Sequence, residues 1–221
     1  MESIDILLQK KLAMFSFFGL IFGDRYWRFK SYFIKLILIS KGIKVGKNFY
    51  IMGNIYLKIK GKASNIIIGN NVSILGNIDL RNRENGRIFI QNNIKFDTDC
   101  RLVSANNATL IISNNCTIGP RCIFNCGADV LLGENVLFAG AVYLNSSDHQ
   151  IAKKYPIVNQ GFFHGKIIIE NDVFVGANTM INQKVTLSTG SVIGSNSVVT
   201  KNTEPYSINV GSPNKKIGER R

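Results

Sequence analysis

Acidic residues are scarce in this chain: 14 Asp and Glu stand against 27 Lys and Arg in 221 residues, a formal net charge of +13. That balance calls for an anionic partner, though sign alone does not choose among nucleic acid, membrane surface, acidic glycan and phosphorylated cofactor. The excess is strongest at the two ends, with eight basic against three acidic residues in 1–44 and five against two in 201–221. No recognition helix, zinc module or aromatic sheet motif accompanies it, which argues against nucleic acid. Long apolar runs are also missing. The longest, LAMFSFFGLIFG at 12–23, is twelve residues, where a bilayer span needs roughly twenty. GDRYWRFK after it offers no small-residue cleavage site, so the segment is expected to be retained. With DRYWRFKSYFIKLILISKG it forms a basic, aromatic, helical segment over 1–42, of a kind that lies on an anionic membrane surface or packs on the protein body. The four cysteines, Cys100, Cys116, Cys122 and Cys126, contain no C-x-x-C pair, so a reduced, cytoplasmic setting with no metal is expected. Histidine occurs only at His149 and His164.

What the chain has in abundance is a period of six. Aliphatic or aromatic residues recur as Val45, Ile51, Leu57; Ile68, Ile74, Leu80; Ile90, Phe96, Leu102; Ile112, Ile118, Phe124; Leu132, Phe138, Leu144; Ile169, Val175, Ile181; and Leu187, Ile193, Val199. Repeats are sought before local structure because a missed period miscalls the fold. Successive triplets start 23, 22, 22, 20, 37 and 18 residues apart, so extra residues always enter after the third turn. Four positions after each aliphatic comes a small or β-branched residue, a slot that holds three of the four cysteines and marks them as core filler. Three positions after it stand Asn54, Asn71, Asn77, Asn93, Asn115, Asn135, Asp172, Asn178, Gly190 and Asn196, residue types that enter the left-handed backbone region at least cost. Short strands with a tight corner every sixth residue and three corners per coil give an all-β solenoid of about seven triangular coils over 43–204. A loop interrupts it at 145–168, and a basic tail follows at 205–221.

IGNNVS (68–73), VGANTM (175–180) and IGSNSV (193–198) make the chain resemble the hexapeptide-repeat acyltransferases. The resemblance covers residues 43–217. It implies a left-handed parallel β-helix, a hand that spacing alone could not set and an exception to the usual right-handed crossover. It also implies a homotrimer with sites between subunits.

The loop YLNSSDHQIAKKYP and its continuation hold both histidines. An imidazole is suited to general-base work because its unperturbed pKa is about 6.5, and a sugar hydroxyl needs such a base before it attacks a thioester. SSDHQI resembles the segment in which polysaccharide O-acetyltransferases of this class carry their catalytic histidine, which assigns that role to His149. Asp148 has two roles open to it, orienting the imidazole or binding the acceptor. The Asn145 amide or a backbone N–H is available to the oxyanion. His164, Tyr155 and Phe163 are candidates for acceptor contact.

The resemblance extends to the last coils, which implies acetyl-CoA as co-substrate. Gly176 and Ala177 would lie beside the thioester, Ser195 along the arm, Thr200 and Lys201 near the nucleotide, and Lys215 and Lys216 near the phosphates. Phe174 stands where the family usually has Trp, and Asn214 where it has Ala. Zinc carbonic anhydrases share this fold but need three histidine ligands per site, which two histidines per chain supply poorly. The reading is an O-acetyltransferase acting on a sugar or oligosaccharide of a bacterial surface polysaccharide or its lipid-linked precursor, in the cytoplasm and in peripheral contact with the inner membrane. An acetyltransferase on a small soluble acceptor, such as a nucleotide-linked amino sugar, and a non-catalytic scaffold are the alternatives.

Overall fold

The structure is a computed structural model that describes residues 17–221; the expected N-terminal segment before residue 17 lies outside them. Three parallel sheets form the three faces of a β-solenoid of about seven turns. The first face runs from Lys44–Val45 to Thr186–Leu187, the second from Tyr50–Ile51 to Val192–Ile193, and the third from Ile55–Ile59 to Val198–Val199. The aliphatic triplets define the register. Val45 pairs with Ile68, Ile68 with Ile90, Ile90 with Ile112, Ile112 with Leu132, Leu132 with Ile169 and Ile169 with Leu187. The 37-residue interval thus passes without a slip. A shift by one residue would turn every inward side chain out.

The hexad works because its strands are only two to five residues long and carry one to three inward residues each. Stacking these coil on coil builds one continuous core in which Ile51, Ile74, Phe96, Ile118, Phe138, Val175 and Ile193 are all buried. The Phe124 and Phe138 rings stack 6.0 Å apart at 17°. All four cysteines are buried free thiols. Burial pushes Cys100 up to about 12 and Cys116 and Cys122 up to about 11, and it raises Cys126 as well.

Corners follow position more than residue type. Asn71, Asn93, Asn115, Asn135, Asp172, Asn178, Gly190 and Asn196 have positive φ as expected, but so do Asp99, Arg121, Ala141 and Lys184 at the same offset. Asn54 and Asn77 do not. The frequent Asn has a second use. Asn48, Asn71, Asn93 and Asn115 form a side-chain ladder, each amide donating to the next at 2.8–3.0 Å. A neighbouring ladder runs from Asn70 through Asn92 and Asn114 to Glu134.

A solenoid has two open ends whose backbone groups lack a neighbouring coil. Helix α1 (Asp24–Ser40) covers the first. Ser31 Oγ accepts from Ile51 N at 2.8 Å, Lys30 Nζ donates to Gly53 O at 2.7 Å, and Lys35 Nζ donates to Gly46 O at 2.5 Å. Leu38 and Ser31 are buried beneath the helix. At the other end, the stretch expected as a basic tail is a β-hairpin. Ser207–Val210 continues the second face beside Val192–Ile193, and Lys215–Glu219 folds back against it.

Candidate active site

The long insertion leaves the solenoid at the corner between the third and first faces, the same corner that absorbs extra residues in earlier coils. Its root is pinned by Ser146, which is fully buried. Ser146 Oγ accepts from the N–H of Gly127 at 2.9 Å and of Ala128 at 3.0 Å. Beyond it the chain forms an antiparallel hairpin with Ser147 opposite His164, Asp148 opposite Phe163, and His149 opposite Phe162. Side chains alternate along a strand and opposed residues share a face. Ser147, His149, Phe162 and His164 therefore point one way and Phe163 the other, while the Asp148 carboxylate, held by Asn145 and Gln183, borders the edge of the groove.

The shared face overlooks a groove of about 420 Å³. His149 packs on the Phe162 ring with centroids 4.2 Å apart, and His164 Nδ1 meets Ser147 Oγ at 2.8 Å. The approach is close because residue 127 is glycine: a Cβ there would lie 2.7 Å from His164 Nδ1 and 2.8 Å from Ser147 Oγ. Val103, Asn125 and Asn145, successive in register on the third face, line the groove together with Asn106 and Tyr143, and Arg83 stands at its far end. From the Arg83 corner to the hairpin is three coil steps, roughly 14 Å at about 4.8 Å per step.

Asp148 does not pair with its sequence neighbour. Its carboxylate accepts from Asn145 Nδ2 at 3.0 Å and from Gln183 Nε2, one coil on, at 2.9 Å. Asn145 Oδ1 in turn accepts from Asn125 Nδ2 at 2.9 Å. One amide hydrogen of Asn145 is thus already given to Asp148. The loop tip is tied by Gln160, which exchanges hydrogen bonds with the Ala152 backbone at 2.8 and 2.9 Å and donates to Tyr155 O at 2.7 Å. Tyr155 and Phe163 are exposed and do not line the groove.

Of the residues expected to meet the co-substrate, Gly176, Ala177 and Ser195 occupy a different corner, between the second and third faces. Gly176 and Ala177 lie one coil before Ser195, and a Cβ on Gly176 would come within 2.5 Å of Ser195 N. Thr200 and Lys201 are exposed just past Val198–Val199, at the corner that follows the third face, so Lys201 stands one coil beyond Gln183 and apart from Gly176 and Ser195. Lys215 is exposed on the terminal hairpin, while Lys216 Nζ is held by Glu204 at 2.6 Å and Glu219 at 2.7 Å. The Gly176–Ser195 corner and the hairpin stand at opposite edges of the third face. Ala177 and Gln183, the partner of Asp148, are six residues apart on one coil, a separation of roughly 20 Å along extended chain.

The hexad-built, three-faced architecture defines a class: this is a parallel β-solenoid protein. More particularly, residues 166–201 match the family described as hexapeptide repeat of succinyl-transferase, and the chain's curated relatives include several acetyltransferases. The galactoside O-acetyltransferase of Escherichia coli is 36% identical over 90 residues, 41% of this chain and 44% of that protein. This chain spans less than half the length of the curated relatives it matches. Its fold is shared with the polysialic acid O-acetyltransferase OatWY, at TM-score 0.53 and 22% identity over 80% of this chain and 88% of that one. It is also shared with AntD, an N-acyltransferase from Bacillus cereus solved with dTDP-4-amino-4,6-dideoxyglucose and coenzyme A, at TM-score 0.53 and 21% identity over 84% and 88%.

Ser147, Phe162, Gln183 and Asn125 were not singled out by sequence. Ser147 and Phe162 could have been found by pairing the loop as a hairpin about His149. Gln183 and Asn125 follow from the coil register once the insertion is subtracted.

Proposed function

We propose that this protein is an acetyl-CoA-dependent O-acetyltransferase that acetylates a hydroxyl of an oligosaccharide belonging to a surface polysaccharide or its lipid-linked precursor, with His149 as general base. The observation that carries the reading is the placement of His149 over one end of a groove that runs along the solenoid axis past amide side chains to Arg83. Amides donate and accept at once and suit sugar hydroxyls. A groove of roughly three coil steps has room for more than one sugar ring, and Arg83 supplies a cation for an acidic group on the acceptor.

In this reading the acceptor oxygen attacks the thioester carbonyl while His149 takes its proton. The tetrahedral intermediate collapses, the carbon–sulfur bond breaks, and the thiolate of coenzyme A leaves, receiving the proton from the imidazolium. Packing on Phe162 fixes the plane of the ring. Asp148, already held by two amides, keeps lone pairs for an acceptor hydroxyl. The corner at Gly176 and Ser195 is too narrow for a side chain and leaves the backbone open to a thin pantetheine arm, and Lys215 offers charge to the phosphates. A homotrimer in which this corner of one subunit faces the hairpin of the next closes the gap across the third face.

Thiol release from acetyl-CoA, measured with one acceptor class at a time, tests the proposal. Oligosaccharides are expected to stimulate release, acidic ones most. His149→Ala is expected to lower kcat by roughly 10²–10⁴ with the melting temperature unchanged. Stimulation only by a small amine or a nucleotide-linked amino sugar overturns the acceptor class, and full rate in folded His149→Ala overturns the base.

A further inference from the structure

Helix α1 has two unlike faces. The inner one closes the first coil through Ser31, Ile34 and Leu38. The outer one bears Phe29, Tyr32, Phe33, Leu36, Ile37 and Ile39, between 44% and 64% exposed. In a helix, residues 29, 32, 33 and 36 fall on one stripe. The preceding helical turns continue the apolar surface, with Phe17, Leu20, Ile21 and Phe22 each more than half exposed. Exposed patches of this extent mark an interaction surface.

The charge around the patch selects the occupant. Residues 17–47 carry seven Lys and Arg and one acid, Asp24. Lys30 and Lys35 turn inward to cap the first coil and Arg28 pairs with Asp24 at 2.6 Å, while Arg25, Lys41, Lys44 and Lys47 are exposed. A second copy of the chain would bring these cations against their like, at a cost to association. An anionic lipid surface takes both features together: aromatic and aliphatic side chains enter the interfacial layer, and flanking cations meet the headgroups. Gly23, at φ +56°, breaks the helix within the patch, and Arg25 and Arg28 follow directly, so the segment is built to lie along a surface.

We propose that the outer face of α1 docks on an anionic lipid surface, with the helix in the plane of the interface and the solenoid standing on its N-terminal end. The groove beside His149 runs along the solenoid axis from the second coil to the fifth. Docking through α1 therefore sets the acceptor groove at a fixed height above the lipid, within reach of a saccharide anchored there. Only this last consequence rests on the acetyltransferase reading; the docking itself does not.

Flotation of the full chain with vesicles tests it, comparing phosphatidylcholine alone with phosphatidylcholine containing about one-third phosphatidylglycerol, at low and high salt. Binding is expected for the anionic vesicles and is expected to fall with salt. The triple variant Phe29→Glu, Phe33→Glu, Leu36→Glu changes only exposed side chains and should lose flotation by tenfold or more, roughly, while keeping its melting temperature. Arg25→Gln with Lys41→Gln, which leaves the apolar stripe intact, should weaken binding about fivefold per charge removed. The proposal is overturned if the wild-type chain does not float with anionic vesicles. It is equally overturned if both variants float as well as wild type, or if the triple variant instead lowers the oligomeric state by sedimentation, which would make the patch a self-interface.

Discussion

Asp148 precedes the proposed base in sequence and turns away from it in space. An extended strand sends adjacent side chains to opposite faces, so the Asp-His dipeptide cannot work as a pair within one chain; the carboxylate is held instead by Asn145 and Gln183. The thiols are the other residues whose chemistry position decides. The spacing alone marked three of the four cysteines as core filler, and all four are buried. Because burial lifts Cys100 to about 12 and Cys116 and Cys122 to about 11, the folded state keeps its protons where the unfolded state, with ordinary thiols near 9, loses them. Their contribution to folding is constant below about pH 9 and turns unfavourable as pH rises from about 9 towards 11–12. Chemical denaturation at stepped pH should therefore show stability falling above about pH 9, less steeply in a Cys122→Ala variant. The native protein should resist thiol alkylation at neutral pH; fast labelling without unfolding would contradict this.

At the scale of elements, the seven triplets placed the strands of the three faces because inward burial repeats through the hexad, loosening only at Val45 and Leu57 in the first coil. Corner chemistry was legible only in part: Arg121, Ala141 and Lys184 take positive φ although their types do not advertise it, since the neighbouring coils impose the turn. The insertion was legible as a break but not as a hairpin, because Phe162 and Phe163 are spaced for strand pairing only once Ser147–His149 is seen as the opposing strand. Nor does the repeat reveal that Ser31, twenty residues before its partner, substitutes for a missing coil. Ser31→Ala leaves the buried Ile51 N–H without its acceptor, and a loss of about 1–3 kcal/mol is expected, read as an earlier denaturant midpoint with an unchanged slope. A midpoint within error of wild type would mean that water replaces the hydroxyl there.

For the whole molecule, the key fact is that the hairpin and the Gly176–Ser195 corner border one face from opposite edges. If a site is completed across a subunit boundary, two inactive proteins can restore each other. Mixing His149→Ala chains with Gly176→Trp chains, after dissociation and reassembly, should recover activity up to about a quarter to a third of wild type, because mixed boundaries recreate intact sites. Recovery absent from an assembly shown to be mixed would place the site within one chain. The mixing experiment reads this arrangement directly.

The Asn ladders and the unbroken register make each coil an interchangeable unit of length. Removing one whole coil from the middle of the solenoid would draw Arg83 and His149 together by a single step of about 4.8 Å. The distance between Arg83 and His149 is thus graduated, and under the proposed function the number of coils between them would set how much acceptor the groove spans.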